Sequence, residues 1–301
     1  ALLYVMLLVG MMISALIIGR LLVDFTPTRL VQIVQGVAAM TAVLNITALW
    51  KQEARGSAWR KKGSPHPAFA PQWRAFINQP RARRFLWTVG LGTAAFNMQD
   101  IVLEPYGGEI LKLSVSATSS LTALLAGGAL LAFGLAARLL MRGADPMRVA
   151  AVGALVGLPA FAAVIFAAPA DAPWLFKLGS AFIGFGSGLF AVGTLTEAMS
   201  LERKEHIGLA LGAWGAVQAT AAGLAIAGGG ALRDIVGHLA MAGWLGPVLQ
   251  QPVTGYGFVY HLEMLLLFAA LVALGPLVRR SSTPRPVAAA ANRFGLAEFP
   301  G

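Results

Sequence analysis

The sequence contains no cysteine, which excludes thiolate metal sites, thiol catalysis and any disulfide framework, and leaves the redox compartment unmarked. Charge is also scarce. Only 12% of residues are Asp, Glu, Lys or Arg, about half the share usual in soluble domains. Histidine is limited to His66, His206, His238 and His261, in no spacing that a protein-built metal site uses, so metal catalysis has no support. The P-loop, the H-E-x-x-H pair, the G-x-S-x-G elbow and a strand-borne G-x-G-x-x-G are all missing. Gly184-Phe185-Gly186-Ser187-Gly188 lies inside an apolar run and reads as helix packing rather than a phosphate cradle. No catalytic residue stands out, and the chain is not expected to be an enzyme.

What is abundant is apolar sequence. Hydrophobic residues make up 57% of the chain, in runs that reach the roughly 20 residues needed to cross a hydrocarbon core. Eight runs read as spans, over 1–19, 29–50, 85–104, 118–141, 147–169, 174–200, 207–232 and 257–278. The expected architecture is all-α and polytopic, in the inner membrane. The first run has no basic segment before it and no cleavage-type segment after it, so it does not read as a signal peptide. A chain opening in mid-run is expected to be the remainder of something longer.

The net charge of +10 could suggest nucleic acid, but the basic residues fall in particular loops rather than on one face, so none is expected as a partner. The 51–84 connection holds nine Lys or Arg residues, among them Lys51, Arg60, Lys61, Lys62 and Arg84, against the single acid Glu53. By the positive-inside rule it is cytoplasmic. Alternation then places Arg142 with Arg148, Arg203 with Lys204, and Arg279 with Arg280 on the same side, and both ends of the chain in the cytoplasm. The poorly charged connections around Asp24, Glu109, Asp171 and Asp234 fall opposite. Two further apolar stretches, 73–77 and 235–249, read as interfacial rather than spanning. The tail after Arg280 is too short and alanine-rich for a packed core, and its last eight residues, 294–301, could dock on a partner.

Gly184 with Gly188, and Gly208 with Gly212, have the small-xxx-small spacing that lets helices approach closely. They are expected to pack within the chain. Glu197 is expected to pair with the charged residues that follow it, and Arg138 to reach the interface.

The segment richest in candidate chemistry is Asn97-Met98-Gln99-Asp100-Ile101-Val102-Leu103-Glu104-Pro105-Tyr106-Gly107-Gly108-Glu109. On one continuous helix Asn97, Asp100 and Glu104 share a face, and acids at membrane depth are by default functional. The competing reading is that both lie near the headgroups and pair locally. Pro105 and Gly107-Gly108 are expected to end the helix. A lone histidine can ligate the magnesium of a chlorophyll-type pigment, and His261 has the most suitable depth; an interfacial histidine without a ligand is the alternative.

Met98 to Gly108 resembles the signature of the PucC/LhaA family, the bacteriochlorophyll-delivery branch of the major facilitator superfamily. Asp24-Phe25-Thr26-Pro27 with Arg29-Leu30-Val31-Gln32, the 255–263 stretch from Gly255 to Glu263, and Gly275-Pro276-Leu277-Val278-Arg279 are similar as well. The resemblance implies a twelve-span helix bundle of which these eight spans are the fifth to twelfth. Residues 1–50 would close the N-terminal half, 51–84 would be the cytoplasmic linker, 85–280 the six-helix C-terminal half and 281–301 a cytoplasmic tail. It further implies an assembly factor for the light-harvesting antenna in the photosynthetic cytoplasmic or intracytoplasmic membrane, and the 294–301 tail favours the core complex over the peripheral one. Such a protein binds or delivers bacteriochlorophyll, with carotenoid or lipid as further ligands, or holds antenna α and β polypeptides during insertion. Reaction centre, bacteriochlorophyll synthase and insertase are implied as further partners. Asn97, Gln99, Asp100, Glu104, Pro105, Tyr106, Gly107, Gly108, Glu109 and His261 are the candidate contacts. A secondary transporter of the same superfamily is the alternative.

Overall fold

A computed structural model describes residues 2–50, 69–201 and 207–278, and every regular element among them is helical. The tail beyond Val278, most of the basic connection and the charged segment after Leu201 lie outside the described residues. The helices are α1 (Leu2–Leu21), α2 (Pro27–Trp50), α3 (Phe69–Ile77), α4 (Pro80–Asn97), α5 (Leu103–Glu109), α6 (Val115–Met141), α7 (Pro146–Ala167), α8 (Pro173–Leu201), α9 (Ile207–Met241) and α10 (Val253–Leu274).

Their starts follow local chemistry. Proline opens α2, α4, α7 and α8, where its missing N–H costs nothing. Thr26, Ser114 and Asp145 cap α2, α6 and α7, accepting from the amides of Arg29, Ala117 and Met147. Gly143, with φ +84, stops α6 in the left-handed conformation that glycine adopts without penalty.

Among the described residues, six helices are long and apolar enough to cross a membrane: α2, α6, α7, α8, α9 and α10, the last continuing to Leu277. The protein is therefore a multi-span membrane helix bundle. Two of the eight sequence-read runs do not meet that measure. The apolar part of α1 is a shorter Val5–Leu21 helix, and α4 carries Arg81, Arg83 and Arg84 in its first turns. The 235–249 stretch is not one interfacial piece. Its first residues extend α9 to 35 residues, about 50 Å at 1.5 Å per residue, and a 3-10 turn at Pro247–Leu249 follows. The 73–77 stretch lies in α3, whose Phe76 is buried beneath Trp73.

At the centre, α8 packs against α7 on one side and α6 on the other, α1 lies on α6, and α10 fills the angle between α4, α7 and α9. The α6–α8 approach depends on glycine. A Cβ on Gly184 would sit 2.1 Å from the Leu125 carbonyl oxygen, and one on Gly128 would sit 2.1 Å from that of Ala181. Gly184 and Gly188 thus pack inside the chain as their spacing predicts. Gly208 and Gly212 do not, since no described neighbour lies within 4 Å of the space a side chain would fill.

At the other end, Arg81 Nη2 meets Glu197 Oε1 at 2.7 Å and the Leu277 carbonyl at 3.4 Å. That contact ties α4, α8 and the end of α10 together around a glutamate that is 1% exposed. The sequence-expected partners of Glu197, at 202–205, lie outside the described residues.

Candidate functional site

The candidate motif does not form one continuous helix. After Asn97 the backbone tightens into a 3-10 turn at Met98–Ile101 and restarts as α5 at Leu103. Two local features support the break. Asn97 Nδ2 donates back to the Thr93 carbonyl at 2.7 Å, a bond that competes with the helical ladder. Gly229 of α9 seats directly on the turn, where a Cβ would lie 2.7 Å from the Met98 carbonyl oxygen.

Pro105 therefore does not end a helix. It takes the third position of α5, where no intrahelical donor is needed, and α5 runs through Gly107 and Gly108 to Glu109. The chain turns only afterwards, with Lys112 at φ 54 and the Leu113 amide donating to the Gly107 carbonyl at 2.9 Å.

The break redistributes the polar groups. Asn97, Asp100 and Gln99 line one cavity of about 280 Å³, to which Ser187 of α8 and Gln218 of α9 also contribute. Gln99, which the helical wheel separates from Asp100, donates from Nε2 to Asp100 Oδ1 at 2.5 Å. Glu104 leaves the group and accepts from Thr122 Oγ1 of α6 at 3.0 Å. The shared face of Asn97, Asp100 and Glu104 is thus corrected to Asn97, Gln99 and Asp100.

Tyr106 and Glu109 build a second centre. Tyr106 is buried, donates to the Val164 carbonyl at 3.2 Å and meets the rings of Phe176, Tyr256 and Tyr260 at centroid distances of 5.4, 5.5 and 5.5 Å. Gly107 leaves room for Phe176 and Thr118, while Gly108 faces open space. Glu109 Oε2 receives Arg233 Nη2 and Tyr256 Oη, each at 2.6 Å, and the Arg233 guanidinium lies 4.5 Å from the Tyr256 ring centroid. This knot joins α5, α9 and α10.

Beside it opens a mainly apolar cavity of about 1240 Å³, lined by Tyr106, Ile165, Leu239, Phe258, Tyr260 and His261 among others. His261 Nδ1 lies 2.6 Å from the Gly257 carbonyl. A carbonyl only accepts, so Nδ1 carries a proton, and the neutral tautomer that this contact selects has its lone pair at Nε2.

Four contributors escaped the sequence reading: Gln218, Arg233, Tyr256 and Glu263. Glu263 is fully buried in α10, with neither carboxyl oxygen hydrogen-bonded. An acid inside an apolar run was the available signal. Tyr256 lay in the family-like 255–263 stretch without a role assigned to it, and Gln218 and Arg233 carry no mark that distinguishes them from ordinary helix residues. Among the described residues no three His, Asp or Glu side chains are grouped to hold a metal ion.

The chain matches a family model described as PUCC protein over residues 1–282. It is 51% identical over 302 residues to a Rhodobacter capsulatus protein described as an uncharacterized protein in the puhA-bchM intergenic region, covering 100% of this chain and 63% of that one. It is 52% identical over 238 residues to Protein PucC of Rhodovulum sulfidophilum, covering 78% and 52%, and 45% identical over 284 residues to Protein PucC of Cereibacter sphaeroides, covering 94% and 61%. The chain spans between 52% and 63% of the length of these three relatives. No solved structure matches it.

Proposed function

The chain belongs to the PucC family, and on that premise we propose that it is a non-enzymatic assembly factor for the light-harvesting antenna that receives bacteriochlorophyll as cargo and passes it to antenna α and β polypeptides. The core complex is the proposed product. The reaction centre, the bacteriochlorophyll synthase and the insertase are the proposed wider partners, in the photosynthetic membrane.

The observation that carries this reading is the apolar cavity holding His261. Its volume of about 1240 Å³ exceeds the ~300–1,000 Å³ of ordinary small-molecule sites. Its lining offers aromatic and aliphatic surface to a macrocycle and its tail. A histidine whose Nδ1 proton is committed to the Gly257 carbonyl has Nε2 available as an axial ligand to magnesium. His261 would hold the metal, Tyr260 and Phe258 the ring, and the remaining apolar wall would admit a carotenoid or lipid. Pro105, Gly107 and Gly108 serve this site indirectly by placing Tyr106 and Glu109.

The proposed topology assigns the chain to the fifth through twelfth of twelve spans. Residues 1–50 then belong to the N-terminal half, 51–84 form the cytoplasmic linker, 85–280 form the C-terminal half, and 281–301 form a tail, with both ends cytoplasmic.

A secondary transporter for a small solute is the second reading. It is favoured by the smaller cavity, where Gln218 and Ser187 join Asn97, Gln99 and Asp100 from separate helices, as a solute site requires.

The test is a deletion strain of a phototroph carrying this gene. Expected is loss of core-antenna absorption with bacteriochlorophyll synthesis intact, restored by the wild-type gene and not by His261→Ala. Normal antenna absorption together with failure to take up a solute would replace this reading with the transporter.

A further inference from the structure

Among the described residues, the buried side-chain polar atoms without a hydrogen-bond partner belong to three residues: Gln99 Oε1, Tyr260 Oη, and both carboxyl oxygens of Glu263. They are neighbours. Glu263 lies on α10, which packs on the Met98–Ile101 turn. The Gln99 backbone amide is directed at the Glu263 carboxyl without closing a hydrogen bond, and Asp100 and Tyr260 lie within electrostatic reach of it.

Among the described residues, no free cation lies beside Glu263. From α9, Arg233 is engaged by Glu109, Asp234 and Tyr256, and Asp234 is itself acidic. The turn brings Asp100, and α5 brings Tyr106 and Glu109. Helix α10 adds Tyr256, Tyr260 and His261. Arg81 of α4 is at the opposite end, beside Leu277, and from α7 the only charged side chain is Arg148, in its first turn.

Hydrogen-bond bookkeeping then identifies the missing partner. Gln99 Oε1 accepts only, and an ionised Glu263 also accepts only, so neither can supply the other's missing partner. A proton on Glu263 turns one of its oxygens into a donor and removes a buried charge that no described cation offsets. A bare carboxylate would leave its charge and its acceptors unmet where burial penalises both. A route for that proton exists, because Gln99 and Asp100 line the smaller cavity of about 280 Å³ and Tyr260 lines the larger one.

We propose that Glu263 is a proton-binding site set between the two cavities, loaded and unloaded through Gln99 and Asp100 as the Met98–Ile101 turn moves against α10. The proton comes from water beside Gln99 and Asp100 in the smaller cavity and returns there, with no redox change. The protein's conformational cycle would consequently be linked to one proton, whichever cargo the larger cavity takes.

The test uses the full-length purified protein treated with dicyclohexylcarbodiimide, which adds only to protonated carboxyl groups, with the modified peptide located by mass spectrometry. Expected is labelling of Glu263 that falls at least about tenfold across about pH 5 to 9, following a single-proton curve. A protonated-carboxyl infrared band should titrate in parallel and vanish in Glu263→Gln. Labelling confined to other carboxyls would overturn the proposal. So would labelling of Glu263 that does not vary with pH, since that describes a fixed structural acid. Both labelling outcomes are read on the wild-type protein and do not depend on the variant folding.

Discussion

Gly128 and Gly134 lie six positions apart on α6, and the structure predicts that Gly→Ala has opposite signs at the two. At either site alanine gains up to about 1 kcal/mol of helix propensity. At Gly134 nothing lies within 4 Å of the new methyl, so the gain stands alone. At Gly128 the methyl would fall 2.1 Å from the Ala181 carbonyl oxygen and 2.9 Å from the Phe185 amide nitrogen, about 1.4 Å short of a ~3.5 Å contact. Both opposing atoms are backbone, so no side chain can swing aside and α6 must part from α8. Overpacking of this kind costs about 1–3 kcal/mol, and an unyielding neighbour puts it at the upper end. The net expectation is a loss of about 2 kcal/mol for Gly128→Ala, set against a gain of about 1 kcal/mol for Gly134→Ala. Reversible unfolding in mixed detergent micelles, followed by tryptophan fluorescence, reads both. Equal stability of the two variants would refute the close α6–α8 approach.

Three further outcomes are expected. Glu109→Gln should weaken the α5–α9–α10 knot by no more than about 1 kcal/mol, because Glu109 and Arg233 side chains are 57% and 31% exposed; the exchanged pair Glu109→Arg with Arg233→Glu should recover part of it, and a several-fold larger loss in the unfolding assay would contradict a solvent-screened pair. Trp214→Phe removes the donor that Nε1 gives Thr194 Oγ1 at 3.2 Å between α9 and α8, a loss of about 1 kcal/mol, and combining it with Thr194→Val should cost less than the two singly; strict additivity would show the bond to be idle. Since the chain has no native cysteine, single cysteines at Arg142 and Asp171 should react with a membrane-impermeant maleimide from opposite faces, and labelling from one face would overturn the topology.

Much of the architecture was legible in the sequence, because a helix that crosses a membrane must be written as a long apolar run. The runs that became α6, α7, α8 and α10 were located to within a few residues. Gly184 and Gly188 announced a close approach, and the structure supplies it. What the sequence could not show are features made by distant residues. The break at Met98 depends on Gly229, more than a hundred positions away, and it turns a helical face of Asn97, Asp100 and Glu104 into a cavity lined by Asn97, Gln99 and Asp100. Helical periodicity alone continues through such a turn. Pro105 was read as a stop because a proline inside an uninterrupted helix breaks the hydrogen-bond ladder, and the preceding break, which puts it in a first turn, was invisible. Glu263 was given no role for a different reason: its isolation in an apolar run was plain, but its unpartnered neighbours Gln99 and Tyr260 come together only in the fold.

The central claim, that the protein carries bacteriochlorophyll in the cavity beside His261, is tested most directly by purifying it gently from photosynthetic membranes and recording its absorption spectrum and extractable pigment, alongside His261→Ala, Asp100→Asn and Glu104→Gln. Bacteriochlorophyll bound to the wild type and lost in His261→Ala, with antenna polypeptides co-purifying, is the predicted result. A colourless wild-type preparation free of antenna subunits would contradict the claim.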